Sequence, residues 1–230
     1  RTERTLLLAP QFLRTDQLSG DPEAGLLHWP GRDAQLYGGL SVANPGNSKP
    51  NTGNTGKKID QYHLDYDYPA YPEKGRSELV EEFVEEMKKK PAGFAFLHLT
   101  HPDSVGHGHA WGSEKYHNSI RAVDADLSLV FTLVEENARF KDNTIILLTA
   151  DHGGGGGRLY EHTNNTHPLN FTIPFYAWGK GVTAGADIYA LNTTTRSIPD
   201  ASTNPPYSGE SATQPVRNGD IANLSAKLLG

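Results

Sequence analysis

Apolar positions in this chain fall into short unbroken runs and longer helical stripes, and the two kinds alternate. Thr5-Leu6-Leu7-Leu8-Ala9 is a short apolar run closed by Pro10, which reads as a buried strand. Ser77 to Lys90 carries Leu79, Val80, Phe83, Val84 and Met87 at helical spacing, with Ser77 placed to cap it and Pro91 and Gly93 to end it. A strand is expected over 94–99, Phe-Ala-Phe-Leu-His-Leu. A second helix is expected over about 114–138, with Ile120, Val123, Leu127, Val130, Phe131 and Val134 on one face. Strands follow at 144–149 and 171–178, the latter held to an edge or a bend by Pro174, and a short helix runs from Asp220 to Leu229. This alternation predicts an α/β fold, a layered sandwich around a mostly parallel central sheet.

Between these elements the pattern loses its apolar content. Residues 41–58 are Asn, Gly, Pro, Ser, Thr and Lys and read as a flexible linker. Residues 60–73 form a polar, aromatic stretch with Tyr62, Tyr66 and Tyr68, expected as a loop, and 185–218 is loop-rich. The chain therefore divides into an unassigned segment 1–40, the linker 41–58 and a domain over 59–230.

Two clusters stand at the ends of predicted strands. The run 144–149 leads into Asp151-His152 and five glycines, Gly153 to Gly157, with His162 beyond them. The run 94–99 leads into Pro102-Asp103-Ser104-Val105-Gly106-His107, expected as a loop. The C-terminal ends of strands are where α/β proteins place their ligands. Carboxylate oxygen and imidazole nitrogen suit a divalent transition metal. Two strand ends with one Asp and one His each suggest a shared metal centre. His162 or His167 could complete it; His98 reads as a core histidine, and His109 and His117 as solvent-facing or at a cleft rim.

Composition narrows the chemistry. There is no cysteine among the 230 residues, so any metal is held by His, Asp, Glu or water. The formal charge of −6 disfavours a nucleic-acid polymer as partner. No apolar stretch approaches the roughly 18–20 residues of a membrane span. Arg1-Thr2-Glu3-Arg4 lacks the apolar core of a signal peptide. The glycines are not a phosphate-binding loop, since no Lys-Ser/Thr follows them. Paired with His152 they resemble an oxyanion loop, and Gly209-Glu210-Ser211-Ala212-Thr213 half-resembles a nucleophile elbow, which gives a serine carboxylesterase using Ser211 as an alternative. No histidine follows Ser211, so the usual order of that triad is not completed.

These motifs together resemble the alkaline phosphatase superfamily, in its type I phosphodiesterase/nucleotide pyrophosphatase and sulfatase-like branch. Pro102–His107 is similar to the branch's P-D-x-x-G-H motif, and Thr149–Gly154 matches T-A-D-H-G-G. Ile173-Pro174-Phe175, Gly179-Lys180-Gly181-Val182 and the tail Gln214–Leu224 continue the likeness, which covers roughly 60–230. The resemblance implies a hydrolase of small phosphate esters (phosphodiester, phosphomonoester or sulfate ester) with two divalent metals, zinc or manganese. It carries Asp103, His107 and His162 to one metal, and Asp151 and His152 to the other. It also implies an Asp at the end of the first strand and a later Thr or Ser nucleophile. Residues 1–59 offer neither in the expected context, so the fold is expected to be incomplete at its N-terminus, and a non-catalytic metal-binding fragment is the remaining alternative. Members of the family are often periplasmic or secreted.

The metal and esterase readings differ in one assay. Under the metal reading, hydrolysis of p-nitrophenyl phosphate is abolished by EDTA and an organophosphate leaves Ser211 unlabelled, as read by peptide mass spectrometry; chelator-insensitive hydrolysis of p-nitrophenyl acetate with Ser211 labelled overturns it.

Overall fold

A computed structural model describes the backbone of residues 4–8, 34–37 and 61–63, and residues 78–197 and 215–229 in full. Its centre is a six-stranded sheet. The first three strands are β1 (Arg4–Leu8), β2 (Ala34–Tyr37) and β3 (Gln61–His63). Helix α1 (Glu78–Lys89) leads to β4 (Phe94–Leu97), then to α2 (His101–His109) and α3 (Glu114–Glu136). After these come β5 (Thr144–Thr149), a one-turn helix α4 (Pro168–Phe171), β6 (Phe175–Gly179) and the terminal helix α5 (Asp220–Leu229).

The strand order is β3-β2-β4-β1-β5-β6. Every pairing is parallel except that of β5 with β6, which is antiparallel and places β6 at an edge. The α/β class and the mostly parallel sheet are those the hydrophobic pattern predicts. β1 and β2 come from the segment left unassigned by sequence, yet both hydrogen-bond into the same sheet as β4 and β5. The linker 41–58, Ser77 and Ser211 lie outside the described residues.

Two cores sandwich the sheet. Alternate residues of a strand point to opposite faces. On one face Ala95, Leu97 and Ile146 pack with Val80, Phe83 and Met87 of α1 and with Leu127, Val130, Leu133 and Val134 of α3. On the other, Phe94, Phe96 and Leu147 meet Ile221 and Leu229 of α5. The result is three layers, helix on sheet on helix, each helix burying one stripe.

Several local expectations are corrected. The 101–109 segment is a helix, not a loop: Pro102 stands in the first turn, where its fixed φ is helical and its missing N–H costs nothing. Gly106 and Gly108 weaken the helix pattern, but α2 packs on α3 and the packing prevails. The strand expected over 171–178 begins only at Phe175, because 168–171 forms a helical turn capped by His167. Gln61–His63 is a short strand within what reads as a loop. Ile120, placed by periodicity on the buried face of α3, is 43% exposed, because it lies near the helix start, before the stripe reaches the core.

Phe83→Ala is expected to lower the unfolding free energy by about 3–5 kcal/mol, since a fully buried aromatic leaves a cavity. Ile120→Ala is expected to change it by less than about 0.5 kcal/mol. Urea denaturation followed by circular dichroism measures both.

Candidate metal centre

The register of the sheet sets where the chemistry gathers. Leu8 at the end of β1 pairs with Leu97 of β4 on one side and Leu148 of β5 on the other. Three parallel strands therefore end at the same level. β4 leads into α2, which carries Asp103 and His107, and β5 leads into Asp151 and His152. In sequence β1 leads into Ala9-Pro10-Gln11, which contains no carboxylate or imidazole.

On α2 the spacing i, i+4 puts Asp103 and His107 one turn apart on one face. His107 Nε2 lies 3.5 Å from Asp103 Oδ1. The same oxygen is approached by His152 Nε2 at 3.8 Å and by His162 Nε2 at 3.7 Å. Asp151 Oδ2 stands 3.3 Å from His152 Nε2. The ring of His162 stacks on that of His152, with centroids 3.7 Å apart, and meets that of His107 at 5.0 Å. All five residues assigned to metals thus form one continuous cluster, and ligand atoms of Asp103, His152 and His162 lie within 4.8 Å of one another. The division into two separate ligand sets is not evident in this arrangement, because His152 faces Asp103 as well as Asp151.

The tautomers follow from the outer contacts. His107 Nδ1 is 2.8 Å from the carbonyl of Tyr160, and His152 Nδ1 is 2.6 Å from that of Gly153. A carbonyl only accepts, so each Nδ1 carries the proton and donates. In the neutral rings both Nε2 atoms are then bare acceptors aimed at a carboxylate oxygen. Asp103 Oδ1, Asp151 Oδ2 and His152 Nε2 are all buried and have no hydrogen-bond partner among the described residues. Lone pairs facing one another away from water are costly unless a proton or a metal ion stands between them. Ligand atoms around an ion with bonds of about 2.0–2.2 Å stand roughly 3–4 Å apart, as these do. The residues fit a divalent metal on donor chemistry and on their unpaired atoms.

Electrostatics agree. Burial, with the neighbouring His152 next in size, pushes the His162 imidazole below its usual range. Burial pushes the Asp151 carboxyl up to about 8, against the pull of the backbone N–H of His152 on Asp151 Oδ1. Near neutral pH Asp151 thus holds a proton where a metal would otherwise stand.

The remaining sequence candidates lie elsewhere. His167 turns its Nδ1 to the backbone N–H of Leu169 and caps α4. His98 is buried beside Phe96, and His109 and His117 are exposed. The oxyanion-loop reading loses its donors: the N–H groups of Gly153, Gly154 and Gly155 donate to the carbonyls of Asn170, Leu169 and Glu161, and that of Gly156 to Asn170 Oδ1. Sequence reasoning missed three contributors. Asn170 is buried and clasps the glycine run through Gly156. Asn218 donates to the carbonyl of Asp151 at 3.0 Å, and its place in the tail motif Gln214–Leu224 was the available signal. Trp111 packs beside His107 and His162, and only its position shortly after the Asp103/His107 cluster pointed to it. A groove of about 470 Å³, lined by Gly156, Arg158, Glu161, Thr163 and Asn164, is formed by the loop that carries His162.

A three-layer α/β protein whose parallel strands end at an Asp/His cluster is the class these observations define. The sequence profile described as type I phosphodiesterase / nucleotide pyrophosphatase matches residues 23–208, and the chain belongs to that family. The match begins ahead of the linker and includes β2. Among curated proteins the chain is similar to GPI ethanolamine phosphate transferase 1 of Aspergillus fumigatus, 37% identical over 38% of this chain and 8% of that one. It is 29% identical to the Saccharomyces cerevisiae protein of the same name over 59% of this chain and 14% of that one. It is 33% identical to the 2,3-bisphosphoglycerate-independent phosphoglycerate mutase of Wolbachia pipientis wMel over 47% of this chain and 21% of that one. The matched stretch is thus a small part of each relative. Among solved structures, murine ectonucleotide pyrophosphatase / phosphodiesterase 5 in complex with AMP aligns with a TM-score of 0.34 at 21% identity, over 54% of this chain and 29% of that one. An alkaline phosphatase superfamily protein from Vibrio parahaemolyticus aligns with a TM-score of 0.40 at 19% identity, over 66% and 39%.

The Asp151 carboxyl gives a pH prediction for metal-free protein. Its folded pKa of about 8 lies above that of an unfolded Asp, about 3.9, so between these values the folded state binds more protons. Stability therefore falls as pH rises from about 4 to about 8. Thermal melts in EDTA across that window should show the slope, and Asp151→Asn should flatten it; an equal slope in the variant would contradict the assignment.

Proposed function

We propose that this chain is a divalent-metal-dependent enzyme acting on small phosphate esters, with hydrolysis of a phosphodiester or phosphomonoester as its reaction. The observation that carries the reading is the convergence of three imidazole Nε2 atoms on the buried, unpaired Oδ1 of Asp103. Asp103, His107 and His162 would hold one ion, and Asp151 and His152 a second. Zinc fits imidazole and carboxylate donors well, and manganese is the alternative. Bound ions supply charge for the transferring phosphoryl oxygens and lower the pKa of the attacking group.

The residues of the chain do the rest. The Tyr160 and Gly153 carbonyls fix the Nδ1–H tautomers of His107 and His152, so that both Nε2 lone pairs are presented inward. Burial favours the neutral form of His162, which can donate a lone pair. Asn218 and the backbone N–H of His152 hold the strand end and carboxylate of Asp151. No residue is assigned as nucleophile.

Transfer of the phosphoryl-bearing group to an alcohol is the second reading, favoured by the similarity to proteins named as ethanolamine phosphate transferases. Hydrolysis and transfer share the displacement at phosphorus and differ in the acceptor.

Elemental mass spectrometry of the purified chain is expected to find zinc or manganese. Turnover of bis-p-nitrophenyl phosphate or p-nitrophenyl phosphate is expected to stop with EDTA. Asp103→Ala and His162→Ala should each reduce it by more than the roughly 10–100-fold typical of losing an outer-shell partner. A ³¹P spectrum taken with ethanolamine present separates the two readings: inorganic phosphate from p-nitrophenyl phosphate, or p-nitrophenyl phosphate from the diester, means hydrolysis, and a phosphate ester of ethanolamine means transfer. Turnover that survives both substitutions would exclude the proposal.

A further inference from the structure

Trp111 stands just past the end of α2 and belongs to neither apolar core. Its ring meets His107 edge-on, with centroids 4.9 Å apart and planes at 81°. It meets His162 in the same way at 5.7 Å and 76°. Its backbone N–H donates to the Leu159 carbonyl at 2.9 Å, tying the end of α2 to the loop that carries His162. Tyr116 of α3 lies beyond it, with ring centroids 6.3 Å apart.

Two motif glycines make room for this indole. A Cβ on Gly106 would come within 2.5 Å of Trp111 Cε2, and a Cβ on Gly154 would come closer still. Neither glycine has a positive φ, so it is space rather than backbone conformation that requires glycine here. Gly106 sits inside α2, where glycine is the least favourable residue apart from proline. One indole thus fills the seam between the Asp103/His107 helix and the glycine run that follows Asp151 and His152.

We infer that Trp111 is a positioning residue of the centre: seated on Gly106 and Gly154, its indole fixes the ring planes of His107 and His162 and the spacing between the two clusters. The inference rests on the metal-binding reading above. Imidazole coordination is directional, and a ring free to rotate about its side-chain torsions presents its lone pair to an ion only part of the time. Edge-on contact with one rigid plane limits that rotation for two rings at once.

The test is Zn²⁺ affinity of the full chain by competition with a chromogenic chelator, together with the visible spectrum of the Co²⁺-substituted protein and a thermal melt. Trp111→Ala should weaken Zn²⁺ binding by about tenfold or more, the scale of losing an outer-shell partner, and alter the Co²⁺ bands. Trp111→Phe should restore most of the affinity. Gly154→Ala should weaken binding when Trp111 is present and add little in the Trp111→Ala background, the non-additivity expected of groups that share one space. Affinity and spectrum unchanged in a folded Trp111→Ala overturn the inference. If that variant does not fold, Gly154→Ala alone decides, and unchanged Zn²⁺ affinity overturns it. Wild-type protein that binds no metal fails the metal-binding reading itself, a result distinct from any of these.

Discussion

A carboxylate oxygen that has lost its water and faces three imidazole nitrogens is the constraint around which the proposed centre is organised. Asp103 Oδ1 is in that position. Such an arrangement is unfavourable by itself, and the surrounding chain resists its obvious escapes. His107 cannot bring its Nδ1–H inward without giving up the Tyr160 carbonyl, and His152 is held in the same way by Gly153. Asp103 is carried on a helix packed against α3, and Asp151 on a strand end tied down by Asn218. Acceptors are thus concentrated by elements whose own hydrogen bonds are already made. Sites with this property are preorganised for a cation.

Strands and helices were legible in proportion to their length and burial. α1, α3, β4 and β5 carry unbroken apolar stripes or runs and stand within a few residues of where the pattern puts them. β2 and β3, of four and three residues, are too short to show a period. α2 was hidden by its glycines, which the pattern reads as loop; at Gly106 the Trp111 contacts show a packing requirement. Asp103, His107, Asp151, His152 and His162 were named from motif order, and the structure draws them together. The convergence of His107, His152 and His162 on one oxygen of Asp103 was not legible, because it depends on the relative placement of α2 and the β5 end, which lie far apart in sequence.

Residues that hold a site in place leave weaker traces than those that line it. Asn170 and Asn218 are amides in loop-like contexts, where surface solvation is the ordinary explanation. Each instead satisfies backbone groups that would otherwise be stranded: Asn170 at Gly156, and Asn218 at Asp151. The glycine run behaves likewise. Its amides bond to Asn170, Leu169 and Glu161 and brace the loop that delivers His162. What resembles an oxyanion loop in sequence is a run whose amides are already bonded to Asn170, Leu169 and Glu161.

β1 occupies the middle of the sheet although its partners β4 and β5 follow it at a long distance in the sequence. Parallel pairings between distant segments form slowly, because the intervening chain must be ordered before any contact repays it. The Asp/His cluster stands at the tips of those neighbours, so its geometry requires β4 and β5 both to be seated against β1. A complete ligand set for the proposed centre would therefore exist only once the middle of the sheet has closed.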